Sequence, residues 1–220
     1  RPARKTNEAP LPAGLAVELH ATGIRGTRVR SLDIPGLSHR APIPMGALAG
    51  TCVFSSVIGG EDPADNSLPG DPVVQIGNAF RNAGRLMEQA GGDAGGINHI
   101  WAFMDDMAQA PLMLDAYLAA FPDADDRPAR KTIPYALPKG HAIQLQIMGD
   151  SGGRIRNFEV PGIGHHDPIP MASLAGRLLQ SSGIYGIDPA TSQMARGGLE
   201  AEIGHSLNAI GQVMAAVGAG

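Results

Sequence analysis

The chain has 220 residues, of which 43% are hydrophobic and 17% charged, and its formal net charge is −4 at pH 7. These values are typical of a soluble globular protein with one large or two small domains. A negative charge without a basic cluster argues against nucleic-acid binding. No apolar run is long enough to cross a membrane and no signal peptide is visible, which favours a cytoplasmic location. The single cysteine, Cys52, excludes an internal disulfide and a cysteine-based zinc site.

One hexapeptide, Arg-Pro-Ala-Arg-Lys-Thr, occurs twice, at residues 1–6 and 127–132. The same offset of 126 residues aligns 36 identities over the 94 positions that overlap. A period of this length indicates a duplicated domain, because solenoid repeats are typically about 20–50 residues long.

The repeat also defines the expected domains. Two repeats of 126 residues need 32 residues more than the chain has. We expect residues 27–152 to form one complete domain. Residues 153–220 match the front of a second domain and residues 1–26 match the back of one, while the counterparts of residues 95–126 are absent. Either a segment is missing from this chain, or the chain begins out of phase with its domains.

Periodicity and turn residues predict the elements of the complete unit in chain order. Alternating apolar residues predict a strand at 28–34, and two prolines predict an irregular segment at 39–45. A second strand follows at 51–58. Asp71 and Pro72 suit the cap and first turn of a helix with one apolar stripe, which Gly91 ends.

The remaining predictions are a strand at 97–104, a helix at 110–121 and two strands at 127–136 and 141–148. The order is β-β-α-β-α-β-β, with room for one further early strand. It predicts an α+β fold with a mixed sheet and two helices on one face. Because the other face also carries apolar residues, we expect a partner domain to cover it.

Arginine in the repeated hexapeptide is the first candidate for function. Arg4 and Arg130 each follow Pro-Ala, and a guanidinium can hold a substrate carboxylate with two parallel hydrogen bonds. The alternative is a structural arginine that binds loop carbonyls or an acidic neighbour such as Asp125.

Glu18 and Gln144 occupy one repeat position in apolar strand-like surroundings. A carboxylate there can act as a general acid or base, whereas Gln144 keeps only hydrogen bonding. The alternative is an outward-facing strand residue. His39 and His165 also repeat, but no further ligand repeats with them, so loop hydrogen bonding is favoured over a metal site. No phosphate-loop or dinucleotide motif is present, and no cofactor is expected.

Several motifs follow one another in a characteristic order. Ile-Trp-Ala-Phe-Met-Asp at 100–105 precedes the second helix, and Arg-Pro-Ala-Arg at 127–130 is followed by Leu-Pro-Lys-Gly at 137–140. In this order they resemble the RidA/YjgF family of reactive-intermediate deaminases, which includes proteins described as L-PSP endoribonucleases. The resemblance covers essentially the whole chain.

That resemblance implies a chorismate-mutase-like α+β fold, trimeric rings and sites in clefts between domains. It implies hydrolysis of enamines or imines to keto acids and ammonia, without metal or cofactor. Arg4 and Arg130 match the arginine that binds the substrate carboxylate. Glu18 matches the glutamate that orients water, and the pair Thr6 and Thr132 matches a pocket position.

The sequence also departs from the family pattern. Leu48 and Leu174 stand at or near the position of a usual tyrosine, and Gln144 replaces the glutamate in the complete unit. A re-lined pocket favours a larger or more apolar substrate and two unequal sites per chain. A non-catalytic ligand-binding module is therefore the alternative to a deaminase. Three chains forming two stacked rings are the simplest closed assembly.

Overall fold

A six-stranded sheet forms the centre of the computed structural model, which describes residues 1–7 and 10–219. Its strand order is β1-β2-β3-β6-β4-β5, and only β4 and β5 run parallel. The strands are β1 Val29–Leu32, β2 Gly46–Ala49, β3 Cys52–Ser55, β4 Ile97–Met104, β5 Ala129–Pro134 and β6 Gln144–Asp150. With helices α1 (Pro72–Ala90) and α2 (Ala110–Ala120), this mixed sheet confirms the predicted α+β fold.

Helix α1 begins and ends where its sequence predicts. The Asp71 side chain accepts a hydrogen bond from the Val73 N–H at 2.9 Å, and Pro72 occupies the first turn. Gly91 ends the helix with φ 91°, a left-handed conformation that glycine adopts without strain. Between these ends, Ile76, Leu86 and other apolar residues pack into the main core.

Three aromatic rings join α2 to α1. The Phe80 ring meets Tyr117 edge-on with centroids 6.4 Å apart, and Phe121 lies 5.4 Å from Tyr117. The buried Tyr117 hydroxyl donates to the Pro128 carbonyl at 2.8 Å. The second helix is therefore tied to the segment that enters β5.

The elements of the front half recur 126 residues later. Strands β7 (Ile155–Phe158), β8 (Ala172–Ala175) and β9 (Leu178–Ser181) are the counterparts of β1, β2 and β3, and α3 (Leu199–Ala216) is the counterpart of α1. A short hairpin, β10 (Ile187–Asp188) and β11 (Gln193–Met194), lies between them. We call residues 27–152 the first unit and residues 153–219 the second unit. The second unit has its own small core, formed by Val160, Ile163, Met171, Ala172, Ala209 and Val213.

The second unit packs against β4 of the first. Because side chains alternate along a strand, Ile100 and Ala102 join the core under the helices, while His99 lies on the opposite face. A β-bulge between Ile97 and His99 interrupts this alternation, so that Asn98 lies on the same face as His99. On that face Asn98 Nδ2 donates to the Leu178 carbonyl at 2.6 Å, and the Ala129 N–H donates to Ser173 Oγ at 3.0 Å. The sheet face that the helices leave uncovered thus meets a second unit within the same chain.

Two strand boundaries differ from the sequence prediction by three residues each. The strand expected at 51–58 ends at Ser55, although the Ser56 N–H still donates to the Met45 carbonyl at 2.8 Å and Ile58 forms an isolated bridge with Leu145. The last strand begins at Gln144 rather than at residue 141, since the Gln75 side chain holds the Ala142 N–H and the Gly140 carbonyl in a turn.

The early strand agrees with the allowance made for it in the sequence, whereas the N-terminal segment differs from its repeat. The additional early strand is β2, which pairs with both β1 and β3. In the described part of residues 1–26 there is no helix or strand, although the repeat aligns this segment with β5 and β6. None of the helices in residues 1–7 and 10–219 is long and apolar enough to cross a membrane.

Candidate functional site

A cleft of about 250 Å³ lies where β5 of the first unit faces loops of the second unit. We call it the Arg130 cleft. Three consecutive residues of β5 form one wall, and the loops before β8 and after β9 form the other. Its lining residues are Arg130, Lys131, Thr132, His165, His166, Asp167, Ile169, Gly183 and Tyr185.

The Arg130 side chain forms the base of this cleft and is only 1% exposed. Its Nη2 donates to the Asp167 carboxylate, and its Nη1 lies 2.8 Å from Met113 Sδ. The guanidinium carbon is 4.9 Å from the centre of the Tyr117 ring, within cation–π range. Removing a guanidinium from water is unfavourable without a partner of opposite charge, so the Asp167 carboxylate compensates the buried charge.

Backbone contacts fix where Arg130 lies relative to the second unit. The Arg130 N–H donates to Ser182 Oγ at 2.9 Å, and this hydroxyl in turn donates to the Pro170 carbonyl at 2.7 Å. Ser182 is the repeated serine directly after β9. The two units therefore meet at the position that carries the arginine.

Lys131, next to Arg130 on β5, and His165 and Tyr185 of the opposite wall also line the cleft. Lys131 Nζ donates to the Tyr185 hydroxyl at 3.0 Å. Burial lowers the pKa of His165, an effect that Asp167 opposes and that Lys131 and Arg130 reinforce. His165 is therefore neutral at pH 7, and its Nε2 has no hydrogen-bond partner among the described residues. The cleft combines a buried cation, a neutral imidazole and a lysine–tyrosine pair.

The first copy of the hexapeptide lies at the equivalent place on the first unit. The Arg4 N–H donates to Ser56 Oγ at 3.0 Å, as the Arg130 N–H does to Ser182. Lys5 Nζ lies 3.9 Å from the centre of the Phe103 ring and 3.4 Å from Gln144 Oε1. Burial lowers the pKa of Lys5 to about 8.

The two copies nevertheless differ in their arginine. The Arg4 side chain is exposed, whereas that of Arg130 is buried. Ala41 stands at the repeat position of Asp167, so the first unit offers no equivalent carboxylate at that position.

The residues predicted for the site are only partly brought together. Arg130 and Thr132 line the cleft, whereas Thr6 is exposed. Glu18 is also exposed, and its Oε1 lies 2.5 Å from His20 Nε2. Gln144 accepts a hydrogen bond from Lys5 and is not among the residues that line the cleft.

The two predicted leucines also lie away from the cleft. Leu48 and Leu174 are half-buried in β2 and β8, where they pair with Val53 and Leu179 of the adjacent strands. A tyrosine does line the cleft, but it is Tyr185, which stands where the first unit has Gly59.

Sequence reasoning missed Asp167 and Tyr185. Each interrupts the repeat beside an identical stretch, since Asp167 precedes the repeated Pro-Ile-Pro-Met and Tyr185 follows the repeated Ser-Ser by three residues. A difference between two copies of a duplicated motif was the available signal for both residues.

Other parts of the described chain offer less chemistry. Among residues 1–7 and 10–219, no group of three or more His, Cys, Asp or Glu side chains could hold a metal ion. A larger cavity of about 490 Å³ lies beside α3. The Asp188 carboxylate at its edge already accepts from the Ala190 N–H at 2.9 Å, within its own turn.

The structure is that of an α+β protein with a repeated unit and a cleft of about 250 Å³ between β5 and the loops of the second unit. Solved structures share this fold. RidA from the Antarctic bacterium Psychrobacter sp. PAMC 21119 matches with a TM-score of 0.51 and 20% identity, over 55% of this chain and 98% of that chain. A protein of the conserved Rid family from Yersinia pestis matches with a TM-score of 0.51 and 18% identity, over 56% and 99%. Yeast Mmf1 matches with a TM-score of 0.51 and 15% identity, over 56% and 98%.

These similarities confirm the RidA/YjgF fold that the sequence motifs predicted. Each match covers nearly all of the other protein and little more than half of this chain, which is compatible with a duplicated domain. No family model matches the sequence, and no curated protein matches it.

Proposed function

We propose that this chain is a RidA-like hydrolase that binds a small carboxylate in the Arg130 cleft. Its substrate is an enamine or imine that carries the carboxylate, and its products are a keto acid and ammonia. The observation that carries the proposal is the buried Arg130 guanidinium, which already has a carboxylate as its partner. The shared fold and the cleft's position between two units support it.

The reaction needs proton transfers but neither a redox step nor a metal. Protonation of an enamine at carbon gives an iminium ion, and water adds to its carbon and loses a proton to give a carbinolamine. The carbinolamine nitrogen then takes up a proton, the carbon–nitrogen bond breaks and ammonia leaves. The hydroxyl group gives up its proton, and the keto acid remains. His165, neutral at pH 7, accepts the proton of the attacking water, and the Lys131–Tyr185 pair supplies protons to the substrate.

A second candidate function is ligand binding without turnover. The position predicted to hold the water-orienting carboxylate favours this second function. Glu18 pairs with His20 on the surface, and its counterpart Gln144 cannot transfer a proton. In that case the Arg130 cleft senses a carboxylate and does not convert it.

Ammonia release from an enamine generated in solution separates the two functions. If the protein is a hydrolase, His165→Gln lowers the release by a factor of about 10² or more, as removal of a general base does. His20→Gln, a change at an exposed histidine outside the cleft, is the matched control. Pyruvate binding by calorimetry with no release from the unmodified protein supports the second candidate and excludes the first.

We also propose that the chains associate, with three chains as the simplest closed arrangement. Five apolar side chains on α3 are exposed at helical spacing, which is a surface that favours contact with another molecule. They are Leu199, Ile203, Leu207, Ile210 and Met214. Light scattering at micromolar concentration tests this, and a stable monomer would contradict it.

A further inference from the structure

The Arg130–Asp167 ion pair joins the two units inside the cleft. The Arg130 side chain is 1% exposed, whereas the Asp167 side chain is 41% exposed and lies at the cleft surface. The loop that carries Asp167 differs at this position from its own repeat, because Ala41 precedes the same Pro-Ile-Pro-Met in the first unit.

The contacts of Arg130 leave one direction from which a carboxylate can reach it. Nη1 lies against Met113 Sδ, and the buried Nε has no hydrogen-bond partner in the described residues. Nη2 is the nitrogen that bonds Asp167, and both residues line the cleft. A ligand entering the cleft therefore meets the guanidinium where Asp167 already lies.

We propose that the Asp167 carboxylate occupies the position of the ligand carboxylate, so that the cleft admits a carboxylate only after Asp167 has left Arg130. This inference rests on the proposed function, since it concerns the same cleft. Two carboxylates at one guanidinium nitrogen repel each other, and the incoming one must displace the resident one. Asp167 thus determines which ligands the cleft accepts. A carboxylate must compete with Asp167 for Arg130, so its affinity rises when Asp167 is removed. The affinity of an uncharged analogue does not rise when Asp167 is removed.

The effect on affinity follows from the populations of two arrangements of the cleft, one with Asp167 bound to Arg130 and one with Asp167 displaced from it. A cleft that is open for only a fraction of the time binds with an affinity reduced by that fraction. Replacing Asp167 by alanine, the residue that the first unit has at position 41, removes the competitor and leaves Arg130 buried without a counter-charge. An added small carboxylate then supplies the missing charge.

The test measures pyruvate binding to the full chain by calorimetry. We expect Asp167→Ala to bind pyruvate at least about tenfold more tightly than the unmodified protein, and pyruvamide to show no gain. Asp115→Ala, which removes an exposed carboxylate on α2, is the matched control and should not change the affinity.

Asp167→Asn keeps the size of the side chain and a neutral acceptor for Arg130. If the alanine variant does not fold, this variant carries the test, and we expect a smaller gain in the same direction. Unchanged or weaker pyruvate binding in the folded Asp167 variants would overturn the inference, as would an equal gain in Asp115→Ala.

The outcome is separable from that of the proposed function. Tighter pyruvate binding by Asp167→Ala, together with no ammonia release by the unmodified protein, supports the inference and refutes the proposed hydrolase activity. Ammonia release without any gain in the Asp167 variants does the reverse.

Discussion

Acid should weaken this fold through His99, which lies where the second unit covers β4. The side chain is 2% exposed, and its burial lowers its pKa from 6.5 to about 4, opposed only in part by a backbone hydrogen bond with Ser181. A histidine held neutral in the folded state gains its proton on unfolding.

The sign and the size of the effect follow from that difference in pKa. Between pH 6.5 and pH 4 the unfolded chain binds more protons at this site than the folded chain does. The stabilisation is fully present above pH 6.5 and is lost as the pH falls through this range. A difference of about 2.5 in pKa corresponds to about 3 kcal/mol of unfolding free energy.

Urea unfolding at pH 7 and pH 4 measures this loss. The unmodified protein should lose about 3 kcal/mol more between the two pH values than His99→Gln, in which the titrating group is absent. Carboxylates that titrate over the same range are common to both proteins and cancel in the comparison. His20→Gln, at an exposed histidine, should behave as the unmodified protein does. Equal losses in the unmodified protein and His99→Gln would refute the buried, neutral state of His99.

Two further predictions concern catalysis and a turn. If His165 accepts the proton of water, ammonia release should stay constant above pH 6.5 and fall below it, since burial holds the pKa of His165 under that value; a rate that rises on acidification excludes this role. Gly36→Ala should destabilise the fold by more than about 2 kcal/mol, because φ is +84° and the added Cβ would lie 1.7 Å from the Pro63 carbonyl oxygen. Gly70→Ala, where a Cβ meets nothing within 4 Å, is its control in urea unfolding.

Local signals in the sequence were sufficient to predict most of the first unit. Helix α1 has a capping aspartate, a proline and a terminating glycine, and the structure confirms all three. Strand β2 has four residues and follows a proline-rich segment, so its sequence contains too little alternation to separate it from the next strand. The repeat aligns β7, β8, β9 and α3 with β1, β2, β3 and α1 at one offset of 126 residues.

The site was predictable only as far as the repeat reaches. Arg130 and Thr132 follow from the duplicated hexapeptide, but Asp167 and Tyr185 approach them from another unit. That approach depends on tertiary contacts, such as the Arg130–Ser182 hydrogen bond, which no local pattern encodes. The sequence matched Glu18 to a strand position from local pattern alone. In the structure this residue lies beside His20 on the surface.

The central claim is that the Arg130 cleft binds a small carboxylate. Nuclear magnetic resonance of the labelled protein, titrated with pyruvate, tests it most directly. We predict saturable shifts of the amide signals of Lys131, His165, Gly183 and Tyr185, which line the cleft. No shifts at saturating pyruvate, or shifts confined to residues that line the larger cavity at α3, such as Asp188 and His205, would contradict the claim.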